Sequence, residues 1–133
     1  MTTYLLDTSV VIDVLNHKRD RNLFLENLVL KGGVLACCSV TITEIYAGMR
    51  DHERPRTDQF LDSLDYYEVT RPIAREAGLL KRDWARKGVT LALSDVTIAA
   101  IAMTHSLTLL TDNTKHFPMP SLNLLPLPPT FHV

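Results

Sequence analysis

Short runs of apolar and β-branched residues alternate along this chain with stretches whose apolar residues recur at helical spacing, and that alternation limits the fold more than any other feature. Residues 4–6 read as a strand ending at Asp7, followed by a helix through Val10, Val11, Val14 and Leu15. A helix over 21–30, stopped by Gly32 and Gly33, leads to a buried strand over 34–40 and a helix over 41–49. Arg54, Pro55 and Arg56 mark a break, residues 57–64 carry Phe60, Leu61 and Leu64 on one helical face, and 66–69 read as a third strand. Pro72 suits a helix start, and Ala77, Leu80 and Trp84 share one stripe of that helix over 73–86 before Gly88 ends it. A further helix covers 94–105, a fourth strand 107–110, and a short fifth strand 122–125 lies between Pro120 and Pro126, ahead of a loose proline-rich tail.

Strands alternating with helices imply an α/β chain folded as a three-layer α/β/α sandwich, with a mainly parallel central sheet covered on both faces. Its 133 residues, 46% of them apolar and 22% charged, suffice for one core, so residues 1–133 are read as a single domain. No apolar run approaches the roughly 18 residues of a membrane span. Asp7 and Asp13 also come too early for a signal peptide, so a soluble, cytoplasmic protein is expected. Cys37 and Cys38, adjacent in an apolar run, fit two small buried side chains in a reducing compartment better than a disulfide or metal knuckle.

In an open parallel sheet, ligands bind beyond the carboxyl ends of the strands, where the strand order reverses. Asp7 follows the first strand, Asp112 follows the fourth, Glu44 is expected in the first turn after the second strand, and Asp95 opens a helix. Each has an ordinary explanation: Asp7 as an N-cap, Thr41 and Glu44 as a capping box, Asp95 behind a Ser94 cap, Asp112 in a turn. Capping does not explain why acids from separate segments meet at one sheet edge, where their charges repel. A hard cation resolves that repulsion, and carboxylate oxygens suit Mg²⁺ or Mn²⁺, whereas the histidines and cysteines lack zinc-site spacing. An ion so held suits phosphodiester hydrolysis, because it polarises a phosphoryl oxygen and lowers the pKa of water.

The net charge of -1 argues at first against a nucleic-acid partner. The basic residues are nevertheless grouped, in Lys18, Arg19 and Arg21; in Arg50, Arg54 and Arg56; and in Lys81, Arg82, Arg86 and Lys87. The first group follows the first helix and is a candidate to grip nucleic-acid phosphates, with an ordinary exposed turn as the alternative. Trp84 and the tyrosines offer faces for base stacking, but the stripe shared by Trp84, Ala77 and Leu80 favours core packing.

With those residues in view, the chain closely resembles the PIN-domain endoribonucleases, in particular the VapC toxins of prokaryotic toxin–antitoxin pairs, nearly end to end. Residues 4–13 (YLLDTSVVID), 40–48 (VTITEIYAG) and 93–100 (LSDVTIAA) are similar to the family's first three motifs, and 110–117 (LTDNTKHF) to its fourth. The resemblance implies a metal-dependent endoribonuclease with Asp7 and Asp95 as the most direct ligands, Glu44 binding the metal or positioning its water, and Asp112 completing the cluster. Many relatives carry the fourth acid one place later, so Asn113 is the alternative there. Thr8, Ser9 and Thr111 would support the acids through their hydroxyls, or serve as plain caps. The resemblance further implies a homodimer and a small antitoxin partner whose tail fills the acidic groove, with an Arg facing the carboxylates.

Two other readings compete. A receiver-type phosphotransfer domain also gathers acids around Mg²⁺, but residues 66–70 offer no aspartate and no D-x-D-x-T motif follows the first strand. A non-catalytic RNA-binding module of the same fold is better matched by a chain lacking the acids.

Overall fold

Neighbouring residues of a strand point to opposite faces of a sheet, so a strand apolar at every position needs a core on each side. The structure, a computed structural model, describes residues 1–128; of the tail expected to be loose, Leu127 is buried with its N–H on the Thr111 carbonyl at 2.9 Å, and residues 129–133 lie outside the described residues. Strands β1 (Thr3–Leu6), β2 (Val34–Cys38), β3 (Asp65–Tyr67), β4 (Thr108–Thr111) and β5 (Asn123–Pro126) form one sheet in the order β3-β2-β1-β4-β5. Every pairing is parallel, with Leu5 opposite Ala36 on one side and Leu109 on the other.

Helices α1 (Thr8–Leu15), α2 (Arg21–Leu30), α3 (Ser39–Gly48), α4 (Arg54–Asp62), α5 (Arg71–Arg86) and α6 (Leu93–Thr104) form the outer layers. Leu6, Cys37 and Leu110 join Val10, Val14, Leu25, Ile45 and Leu61 in one core. Their chain neighbours Leu5, Cys38 and Leu109 join Ile73, Ala77, Val96 and Ile101 in the other. The two cysteines thus belong to different cores, and burial pushes the Cys37 thiol up to about 11. Trp84 packs against the α5–α6 core, with Lys87 Nζ 4.6 Å from its ring centre.

Several boundaries differ from the sequence expectation, each for a physical reason. β2 stops at Cys38 and α3 begins at Ser39, because the β-branched run Val40, Thr41 and Ile42 packs as a helix face rather than extending the sheet. Pro55 does not break a helix but lies in the first turn of α4, where a missing N–H costs nothing. At Gly33 a β-carbon would sit 2.7 Å from the Tyr4 ring and 2.9 Å from the Leu28 carbonyl, so close approach of α2 to β1 requires glycine.

The chain runs outward from β1 through β2 to β3, then returns to β4 beside β1 and continues to β5. Strand order therefore reverses between β1 and β4, and a crevice opens at their carboxyl ends. The corner from α1 into α2 borders it and is tightly turned, with His17, Arg19 and Asp20 all left-handed at φ of 53° to 56°.

Candidate active site

Asp7 leaves β1 at this crevice and caps α1, its Oδ1 accepting the Thr8 N–H at 2.8 Å. Capping uses one oxygen only. The other accepts the Thr111 hydroxyl at 2.7 Å from the neighbouring strand and faces the Ser9 hydroxyl at 3.4 Å. Only 5% of Asp7 is exposed. Burial pushes its pKa up, the Thr111, Thr8 and Ser9 hydrogen bonds pull it down, and the Asp112 charge pushes it up again.

Because α3 begins at Ser39, Glu44 sits in its second turn, too deep to close a capping box with Thr41. Thr41 Oγ1 instead meets Thr8 Oγ1 at 3.0 Å, and Thr8 donates to Glu44 Oε1 at 2.9 Å. Glu44 therefore does not cap α3. Asp95 does lie in the first turn of α6, but the cap is Ala92, so Ser94 does not cap this helix. Burial raises the Asp95 pKa, as do the charges of Asp7 and Glu44, while His116 lowers it.

Asp112 follows β4 and accepts the Ser9 hydroxyl on Oδ1 at 3.0 Å. Ser9 thereby stands between Asp112 and Asp7 across the β1–β4 crevice. Asn113 donates its backbone N–H to Thr111 Oγ1 at 2.9 Å, while the Asp112 carboxylate lies near enough to Asp7 for its charge to raise the Asp7 pKa. On its far side Asp112 Oδ2 meets Arg19 Nη1 at 3.2 Å and Arg21 Nη2 at 3.5 Å.

That pairing corrects the expectation for the first basic group. Arg21 is fully buried and cannot grip an RNA phosphate, whereas Arg19, with 56% of its side chain exposed, remains at the rim. The sequence reading also assigned no role to Asp13, whose Oδ2 lies 3.5 Å from Arg21 Nε, or to His116, whose Nδ1 lies 3.5 Å from an Asp95 oxygen. Both lie within motif segments, but spacing does not show which motif polar groups face the acids.

The donor set suits a hard divalent ion: oxygen ligands, mutual charge repulsion and a position at the switch point of a parallel sheet. Among the described residues no three Asp, Glu, His or Cys side chains close around one point; hydroxyls hold Asp7, Glu44 and Asp112, arginines also hold Asp112, and Asp95 faces His116. Beside Glu44 an open cavity of about 270 Å³ is walled by Ile12, Met49 and Arg50. The receiver-type alternative finds no aspartate at the end of β3, which closes with Tyr66 and Tyr67 and is followed by the exposed Glu68.

Residues 4–119 match the PIN domain. The chain is 31% identical over 115 residues to Ribonuclease VapC19 of Mycobacterium tuberculosis, spanning 86% of this chain and 92% of that protein. It is also 39% identical over 89 residues to Ribonuclease VapC10 of the same organism, 67% of each. Among solved structures, VapBC2 from Rickettsia felis, bound to a DNA fragment from its promoter, matches with a TM-score of 0.84 at 25% identity, covering 96% of this chain and 100% of that one. Fold and relatives agree, and this chain belongs to the PIN-domain family, among its VapC ribonucleases.

Proposed function

We propose that this VapC-family ribonuclease hydrolyses internal phosphodiester bonds of RNA with a divalent ion, Mg²⁺ or Mn²⁺, as cofactor, and that Asp7, Glu44, Asp95 and Asp112 form its catalytic site. The observation that carries this reading is the linkage of acids at the β1–β4 switch point: Ser9 lies between Asp7 and Asp112, while Asp95 is within electrostatic reach of Asp7 and Glu44. When bound, the ion supplies Lewis acidity that offsets phosphoryl charge and lowers the pKa of water.

Asp7 and Asp95 are the most direct ligands in this reading. Thr8 donates to Glu44 Oε1, and in this reading Glu44 binds the ion or orients the attacking water. Asp112 flanks the pair. The cavity beside Glu44, with Arg50 in its wall, offers room for a nucleotide next to the reacting phosphate.

As a VapC-family member the protein acts as the toxin of a toxin–antitoxin pair. The Rickettsia felis relative is a VapBC2 assembly bound to promoter DNA, and by the same logic this chain takes a small cognate antitoxin whose basic side chain enters the acidic crevice. A homodimer, a cytoplasmic location and a single domain over residues 1–133 complete the proposal. Among the described residues no helix is long and apolar enough to cross a membrane.

Incubating purified protein with mixed RNA in Mg²⁺, Mn²⁺ or EDTA tests the chemistry. Cleavage with either metal and none in EDTA is expected; cleavage that survives EDTA, or none under any condition, overturns it.

A further inference from the structure

The most unusual side chain in the molecule is a charged one with no exposure. Arg21, the first residue of α2, is completely buried, which is costly for a guanidinium unless fixed anions surround it. Its Nη2 reaches Asp112 Oδ2 at 3.5 Å, its Nε faces Asp13 Oδ2 at 3.5 Å, and its Nη1 donates to the Pro128 carbonyl. One cation thus ties together α1, α2, the end of β4 and the chain beyond β5.

We propose that Arg21 is a positioning residue for the nuclease site, an internal counter-ion that fixes the carboxylate of Asp112 before any metal arrives. This deepens the reading of Asp112 as part of the nuclease site and rests on it. The division of the carboxylate supports it: Oδ2 is committed to Arg21 and Arg19, leaving Oδ1 turned toward Ser9 and so toward Asp7. Arg19 alone is a poor anchor, because its side chain is 56% exposed and its attraction is screened by salt. Arg21 is shielded, and its flat fork is held by hydrogen bonds to Asp112 and the Pro128 carbonyl, while Asp13 adds an opposite charge 3.5 Å from Nε without a hydrogen bond. The left-handed residues at 17, 19 and 20 turn the corner that brings it inward. Since it is buried away from solvent, Arg21 acts on the reaction through Asp112 and not by contact with RNA.

A cycle of Arg21→Met, Asp112→Asn and the double variant, melted in EDTA, reads the pairing without reference to activity. Each single variant is expected to lower Tm, and the double to lose less than the sum, because removing one partner strands a buried charge. Additive losses, or a double variant that does not fold, overturn the proposal.

Kinetics on RNA separate positioning from bulk stability. Arg21→Met is expected to lower kcat about tenfold or more, with KM within about twofold. Its Mn²⁺ affinity by calorimetry should be unchanged or tighter, since a positive charge near the acids is gone. Arg21→Lys keeps the charge without the fork and should recover part of kcat, and it carries the kinetic arm if Arg21→Met does not fold alone. Wild-type kcat in the variant that folds, or a raised KM at unchanged kcat, overturns the assignment. Should the wild type cut no RNA, the nuclease reading fails by itself, while the metal-free cycle still decides whether Arg21 holds Asp112.

Discussion

Asp7 carries two duties that pull in opposite directions. It caps α1 and accepts Thr111, which favour its charge, yet burial and Asp112 oppose that charge. Asp7→Asn is therefore predicted to abolish cleavage while leaving metal-free stability equal or higher, as read by thermal melts in EDTA. The pH dependence has a definite sign. A carboxyl whose folded pKa is raised stabilises the fold at low pH, and that contribution is lost as pH rises from the ordinary value of 3.8 through the raised one. The advantage of Asp7→Asn over wild type should be full at neutral pH and shrink in acid; an advantage that grows in acid contradicts the assignment. Asp7, Asp95 and Asp112 stood out in the sequence because each follows a strand or opens a helix, whereas Glu44 stood out through a first-turn placement that the start of α3 at Ser39 displaces. Arg21 was not legible, because a basic group after a helix reads as a solvated turn, and its partner Asp112 lies 91 residues away.

At the scale of elements, hydrophobic period and glycines identified the strands and helices, while packing decided where they end. Ser39 and Val40, expected to end the second strand, instead open α3, and that shift carries Glu44 out of the first turn. A similar misreading at α6 gives a sharp test. Ser94 resembles a cap in sequence, but Ala92 occupies that position, so Ser94→Ala should change stability by less than about 0.5 kcal/mol, where loss of a true serine cap costs about 1 kcal/mol. Gly33→Ala should cost about 1–3 kcal/mol in denaturant melts, since the added methyl meets a tyrosine ring and a backbone carbonyl.

For the whole molecule, alternation of strand and helix was enough to infer a parallel sheet with two covered faces, and the two cores divided by Leu5 and Leu6 match that inference. Strand order was not legible, because pairing of β1 with β4 joins segments about a hundred residues apart and no local signal records it. That pairing creates the crevice and makes dispersed acids neighbours. If those acids hold the ion, Mn²⁺ should raise the Tm of wild type by linkage and that of Asp7→Asn much less; equal shifts would place the ion elsewhere. The most direct test of the account is to map new RNA 5′ ends after treating total RNA with wild type or Asp7→Asn in Mn²⁺. Discrete new ends are expected with wild type alone, all lost in EDTA; the same ends from both proteins, or ends that persist in EDTA, would contradict metal-dependent cleavage at Asp7.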